Sequence, residues 1–197
     1  MNTTESKELV GKPGAGLPFF EWFVAKYFIF PSVYKKTTKE KAKQTFSLEA
    51  EKILRLGQKI EKEKMTKRVL IDRIRGLEDN SRYWSIAMAI EHLTIVGNGI
   101  SDTIVELTKG GTNKPSVKIQ DVKPNPDSDP AVVLENFAKM QEKFTSQIDI
   151  SQLDNHPKAT YDHPWFGPMN ARQWYILAGR HQAIHREQIE AIIAKQK

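Results

Sequence analysis

The sequence contains no cysteine. That excludes disulfides, zinc–thiolate sites and cysteine nucleophiles, and it fits a reducing compartment. Uninterrupted apolar stretches of membrane-spanning length are missing too. The strongest candidate, residues 17–34, is broken by Glu21 and Lys26. Residues 1–16 have neither the basic start nor the apolar run of a secretory signal, so the expected location is cytoplasmic. Zinc-finger, RNP and KH signatures are also lacking. Histidine is scarce, with five in 197 residues, so its placement carries weight.

What is present is an ordinary globular composition, 39% hydrophobic and 27% charged, enough for one domain with a sizeable core. The net charge of +6 is uneven. Residues 35–75 hold 14 Lys/Arg against 6 Asp/Glu, which leaves the remainder slightly acidic. A basic block can bind nucleic acid or anionic lipid. Here Glu and Lys are interleaved, which favours the solvated face of a helix, and no specific nucleic-acid partner is expected.

Residues 1–16 are polar and predicted to be flexible. Gly11, Gly14 and Gly16 do not make a phosphate loop, because no strand precedes them. Residues 17–46 form a second segment, opened by the aromatics Phe19, Phe20, Trp22, Phe23, Tyr27, Phe28 and Phe30. Pro18 suits a first turn and Pro31 is expected to end the run. The expectation is an extra helix packed on the domain or at a dimer interface, with a membrane surface as the alternative.

The remaining residues, 47–197, read as one bundle domain. Ile53, Leu56 and Ile60 predict a helix over residues 47–63. Residues 81–107 are apolar on two sides, as expected of a central helix. Trp84, Met88, His92, Ile95, Val96 and Gly99 share one face. Residues 108–129 form a long connection, suited to a crossover, with a short extended stretch expected over residues 117–122. Asp129 caps a helix over residues 130–148, whose stripe is Val133, Phe137, Met140, Phe144 and Ile148. Residues 151–169 read as a polar loop. Asn170 and Gln173 then make a capping box for the last helix. The fold class is therefore all-α: a four-helix bundle with a long crossover connection and an extra N-terminal helix.

His181 and His185 are one turn apart on the last helix, about 6 Å at Cβ, so both rings can face one ion. His92 is the only other histidine predicted to face the core. Buried imidazoles need partners. Three of them could be hydrogen-bonded packing residues or ligands of zinc, nickel, copper or iron. Three protein ligands leave a position open, as catalytic sites do. Gln182 stands where a zinc protease has its Glu, so that reaction is excluded. Glu91 points about 100° from His92 around the helix, and is expected to serve a neighbouring group. Gln188 is either a hydrogen-bond partner of the site or a polar core edge. His163 either shapes its loop or reaches the pocket mouth, and His156 should be exposed.

These features resemble the DinB/YfiT-like superfamily. The residues that carry the resemblance are Glu91-His92-Leu93, His163-Pro164-Trp165-Phe166-Gly167, Asn170, Trp174, His181, His185 and Gln188. It covers roughly residue 47 to the C-terminus and leaves the aromatic segment without a counterpart. It implies a four-helix bundle, a divalent metal held by His92, His181 and His185, and often a homodimer. Characterised members include transferases and isomerases that use low-molecular-weight thiols. The expectation is a metal-dependent enzyme, either a thiol transferase or a hydrolase, acting on a small molecule. The alternative is a non-catalytic metal- or ligand-binding module for sensing or assembly.

Overall fold

The computed structural model describes residues 10–12, 14–112 and 122–197. The extended stretch expected over residues 117–122 lies outside them except for Val122. Seven helices are labelled here: α1 (Phe19–Val24), α2 (Phe30–Lys36), α3 (Lys39–Gln58), α4 (Lys62–Thr66), α5 (Ile86–Thr108), α6 (Pro130–Gln147) and α7 (Ala171–Lys195). No helix among the described residues is long and apolar enough to cross a membrane.

Helices α3, α5, α6 and α7 form the bundle. Around it, α3 touches α7, α7 touches α5, α5 touches α6, and α6 returns to α3. Helices α5 and α6 run parallel: Glu91 meets Ser128, Asn98 meets Lys143 and Ser101 meets Gln147. Two parallel neighbours cannot be joined by a tight turn, so the connection between α5 and α6 is the expected crossover. Helices α3 and α7 are also parallel, since Arg172 reaches Thr37 and Arg186 reaches Glu49.

The core follows from helical stripes. Val133, Phe137, Met140, Phe144 and Ile148 are all buried, as their spacing predicts. Phe144 stacks on Phe46 of α3 with ring centroids 4.0 Å apart. Gly179 lets α7 approach α3 closely, since a Cβ there would lie 3.2 Å from the backbone nitrogen of Phe46.

Several boundaries differ from the sequence expectation. The first bundle helix spans Lys39–Gln58 rather than residues 47–63. Its cap is Thr38, and its core stripe begins at Ala42 and Phe46. Those apolar positions are hidden in sequence by the surrounding lysines. Helix α5 starts five residues later than expected because Ser85 caps it, and a 3-10 turn over Asp79–Tyr83 precedes it. Pro31 does not end the aromatic run, which stays helical to Lys36. Proline lacks an N–H and its ring crowds the carbonyl four residues back. A π turn at Ala25–Ile29 accommodates this just before Pro31. The supposed loop over residues 151–169 contains a small antiparallel hairpin, β1 (Tyr161–His163) and β2 (Gly167–Met169). Three residues per strand are too few to show an alternation.

The aromatic run packs against this hairpin. Trp22 donates its indole N–H to the Trp165 carbonyl at 2.6 Å, and Phe30 meets Phe166 edge-on. Glu21 turns inward and accepts from Arg73 and from the Gly76 N–H. The basic block of α3 and α4 is laced with carboxylates, as in the pairs Lys52–Glu49, Arg55–Glu51 and Lys62–Asp129.

Candidate metal centre

The capping box starts α7 where predicted. Asn170 accepts from the Gln173 N–H, and the Gln173 side chain accepts from the Asn170 N–H. From that start the helical repeat carries His181 and His185 to the face opposite α5. There the three rings meet: centroid separations are 5.2 Å for His92–His181, 4.8 Å for His92–His185 and 4.6 Å for His181–His185. One ligand-capable nitrogen from each lies within 4.8 Å of the others.

Hydrogen bonds decide which nitrogens face inward. His92 Nδ1 is 2.8 Å from the Val122 carbonyl, which can only accept, so Nδ1 carries the proton. His185 Nδ1 is 2.6 Å from Gln188 Oε1. The Gln188 amide cannot be turned round, because its Nε2 donates to the Ser81 carbonyl at 2.7 Å. His185 therefore also donates from Nδ1, and both rings present bare Nε2 lone pairs. His92 Nε2 stands 3.3 Å from His181 Nε2. Two imidazoles bound tetrahedrally to zinc at 2.0–2.1 Å would hold their nitrogens about 3.3–3.4 Å apart. The His92 Nε2 lone pair therefore faces either an N–H donated by His181 or a cation shared by the two nitrogens. The donor set thus fits a divalent transition ion.

Electrostatics keeps the three rings neutral. Burial pushes His92 down to about 4 and His185 to about 3, against an ordinary value near 6.5. His181 is also held well below that value, by burial first and then by the neighbouring histidines. Neutral imidazole is the form that binds metal. Trp84 stacks parallel to His185 at 6.1 Å and lies 5.1 Å from His92, fixing the rings from the side.

The other candidates separate by role. Gln188 is fully buried, and its Oε1 accepts from His185 Nδ1. Glu91 accepts from the Asn125 N–H at 2.6 Å and the Ser128 hydroxyl at 2.7 Å. These bonds tie α5 to the end of the connection that also carries Val122. His163 stands apart from the trio, on β1 at the cavity wall. Its Nδ1 accepts from the Trp165 N–H at 3.1 Å, which leaves the proton on Nε2. Burial lowers it to about 4 as well. His156 is exposed. The Val122 carbonyl had no signal in sequence, because any residue supplies a carbonyl. Trp84 was visible only as a core residue on the His92 face.

The trio opens on a cavity of about 1180 Å³ whose walls include Val24, Phe30, Trp84, Val96, Trp174 and Ile184. The aromatic run closes one side of it. Removing the Gln188 amide should loosen His185. Gln188→Ala is expected to weaken zinc affinity by about 10- to 100-fold, measured by competition with a chromophoric chelator. Unchanged affinity would reduce Gln188 to a packing role.

Two solved structures share this fold. One, TT2238, described as a four-helix bundle protein, is 18% identical, with 78% of this chain and 98% of that chain covered and a TM-score of 0.52. The other, YfiT from Bacillus subtilis, is described as a probable metal-dependent hydrolase with an unusual four-helix bundle topology. It is 12% identical, with 82% of this chain and 89% of that chain covered and a TM-score of 0.55. No curated protein matches the chain by sequence. The family model of the DinB superfamily matches residues 45–189, which include the three converging histidines. The chain therefore belongs to the DinB superfamily.

Proposed function

We propose that this protein is a metal-dependent hydrolase of a small, largely apolar molecule. His92, His181 and His185 would hold a divalent transition ion, zinc or nickel by donor type. The observation that carries the reading is the convergence of three neutral imidazoles at the wall of a large apolar cavity. Bound there, the ion supplies Lewis acidity, lowering the pKa of a water or thiol that reaches it. The description of YfiT, whose fold is shared, supports hydrolysis.

The chain's own groups supply the rest. Gln188 and the Val122 carbonyl fix the ligand rings, so no reorganisation is needed during turnover. Trp84, Trp174 and Val96 exclude water and favour an apolar substrate body. His163 offers a neutral Nε2–H donor at the wall, suited to a carbonyl or phosphoryl oxygen. With no cysteine in the chain, a thiol-transfer reaction would need a free thiol from solution.

The test is a panel of aryl esters of increasing acyl length, offered to zinc- and nickel-loaded protein with and without a small thiol. Metal-dependent hydrolysis that improves with acyl length is expected. Turnover only with added thiol would replace hydrolysis by thiol transfer. Metal uptake with no turnover of any ester would favour the binding-module reading instead.

A further inference from the structure

The run Phe19–Lys36 lies outside the family region, and none of its residues is buried. Phe19, Phe20 and Phe28 are 75%, 77% and 63% exposed, and Phe23, Tyr27 and Ile29 are exposed beside them. A contiguous apolar surface of this kind on a soluble chain marks an interaction site. We propose that this run docks the protein on an anionic lipid surface, with the mouth of the histidine cavity turned toward the bilayer.

Charge selects the lipid surface over a second copy of the chain. The run carries Lys26, Lys35 and Lys36 and a single acid, Glu21. Glu21 is turned inward and neutralised by Arg73. The Lys26 ammonium sits over the Trp22 and Tyr27 rings, at 5.1 and 5.7 Å from their centroids, beside the exposed aromatics. A two-fold contact between two such faces would set cation against cation. An anionic headgroup layer complements them, while Phe, Tyr and Trp rings suit its boundary with the acyl chains.

The position of the run agrees with this. Phe20 and Ile29 are exposed and also line the cavity, so the apolar outer face is continuous with the cavity rim. A lipid-dissolved substrate could pass from bilayer to cavity without crossing water. Only that last point rests on the proposed enzymatic function, since docking itself does not involve the histidines.

The experiment is flotation of the full chain with vesicles of phosphatidylcholine alone or mixed with phosphatidylglycerol. Binding to the anionic vesicles, weakened by salt, is expected. The double variant Phe20→Glu, Phe28→Glu should need about tenfold more lipid for half-binding. Both positions are exposed, so its circular dichroism should match the parent. The double variant His181→Ala, His185→Ala should still float, which separates this proposal from the metal reading. No flotation with either vesicle would overturn it. So would a dimer, seen by light scattering, that the Phe20→Glu, Phe28→Glu variant dissolves.

Discussion

Replacing His181 and His185 by alanine is expected to abolish metal uptake. The parent, incubated with zinc or nickel and dialysed, should retain about one ion per chain by elemental analysis. The double variant should retain none. His92→Ala should behave the same way although it lies on α5, because one ligand nitrogen from each of the three rings lies within 4.8 Å of the others. His156→Ala, at an exposed position, should bind like the parent. Metal at about a thousand times its dissociation constant should also stabilise the parent by about 4 kcal/mol against urea, and the variants not at all. A parent that takes up neither ion would end the ligand assignment. Uptake that survives His92→Ala would reduce the site to the pair on α7.

The chelated protein should be acid-labile well above the range in which carboxylates protonate. His92, His163, His181 and His185 are all pushed below the ordinary histidine value by burial. Below about pH 6.5 the unfolded chain gains protons that the folded chain refuses. Stability is therefore complete above that pH and falls as pH drops toward 4. At pH 5, His163 alone, held at about 4, should cost roughly 2 kcal/mol. The trio should add to this, giving a loss of several kcal/mol between pH 7.5 and 5, about the whole stability of many domains. Urea unfolding across this range with chelator present measures it. His163→Phe should flatten the curve by about 2 kcal/mol. A stability that does not change from pH 7.5 to 5 would mean that the rings are solvated or already protonated.

Much of the bundle was legible because helices write themselves locally. The stripe from Val133 to Ile148, the Asp129 cap with Pro130 behind it, and the Asn170–Gln173 box all act within a few residues. Where local signals were weak, boundaries moved. Lysines masked the Ala42–Phe46 stripe, and a π turn let the aromatic run continue through Pro31. The hairpin around His163 was missed because each strand has only three residues.

The site divides in the same way. By itself the sequence determined that any metal here must be held without thiolate. It determined that His181 and His185 share a helix face, because one turn of an α-helix returns to the same side. It also placed His92 on an apolar face. Only the tertiary structure brought His92 to His181, 89 positions away in sequence, by running α5 past α7. Only tertiary packing placed the Val122 carbonyl on His92, and only the packing of Phe19–Lys36 supplied one wall of the cavity. The physical reason is that periodicity and capping are short-range, whereas a backbone carbonyl carries no side-chain signature and helix pairing depends on faces far apart in the chain.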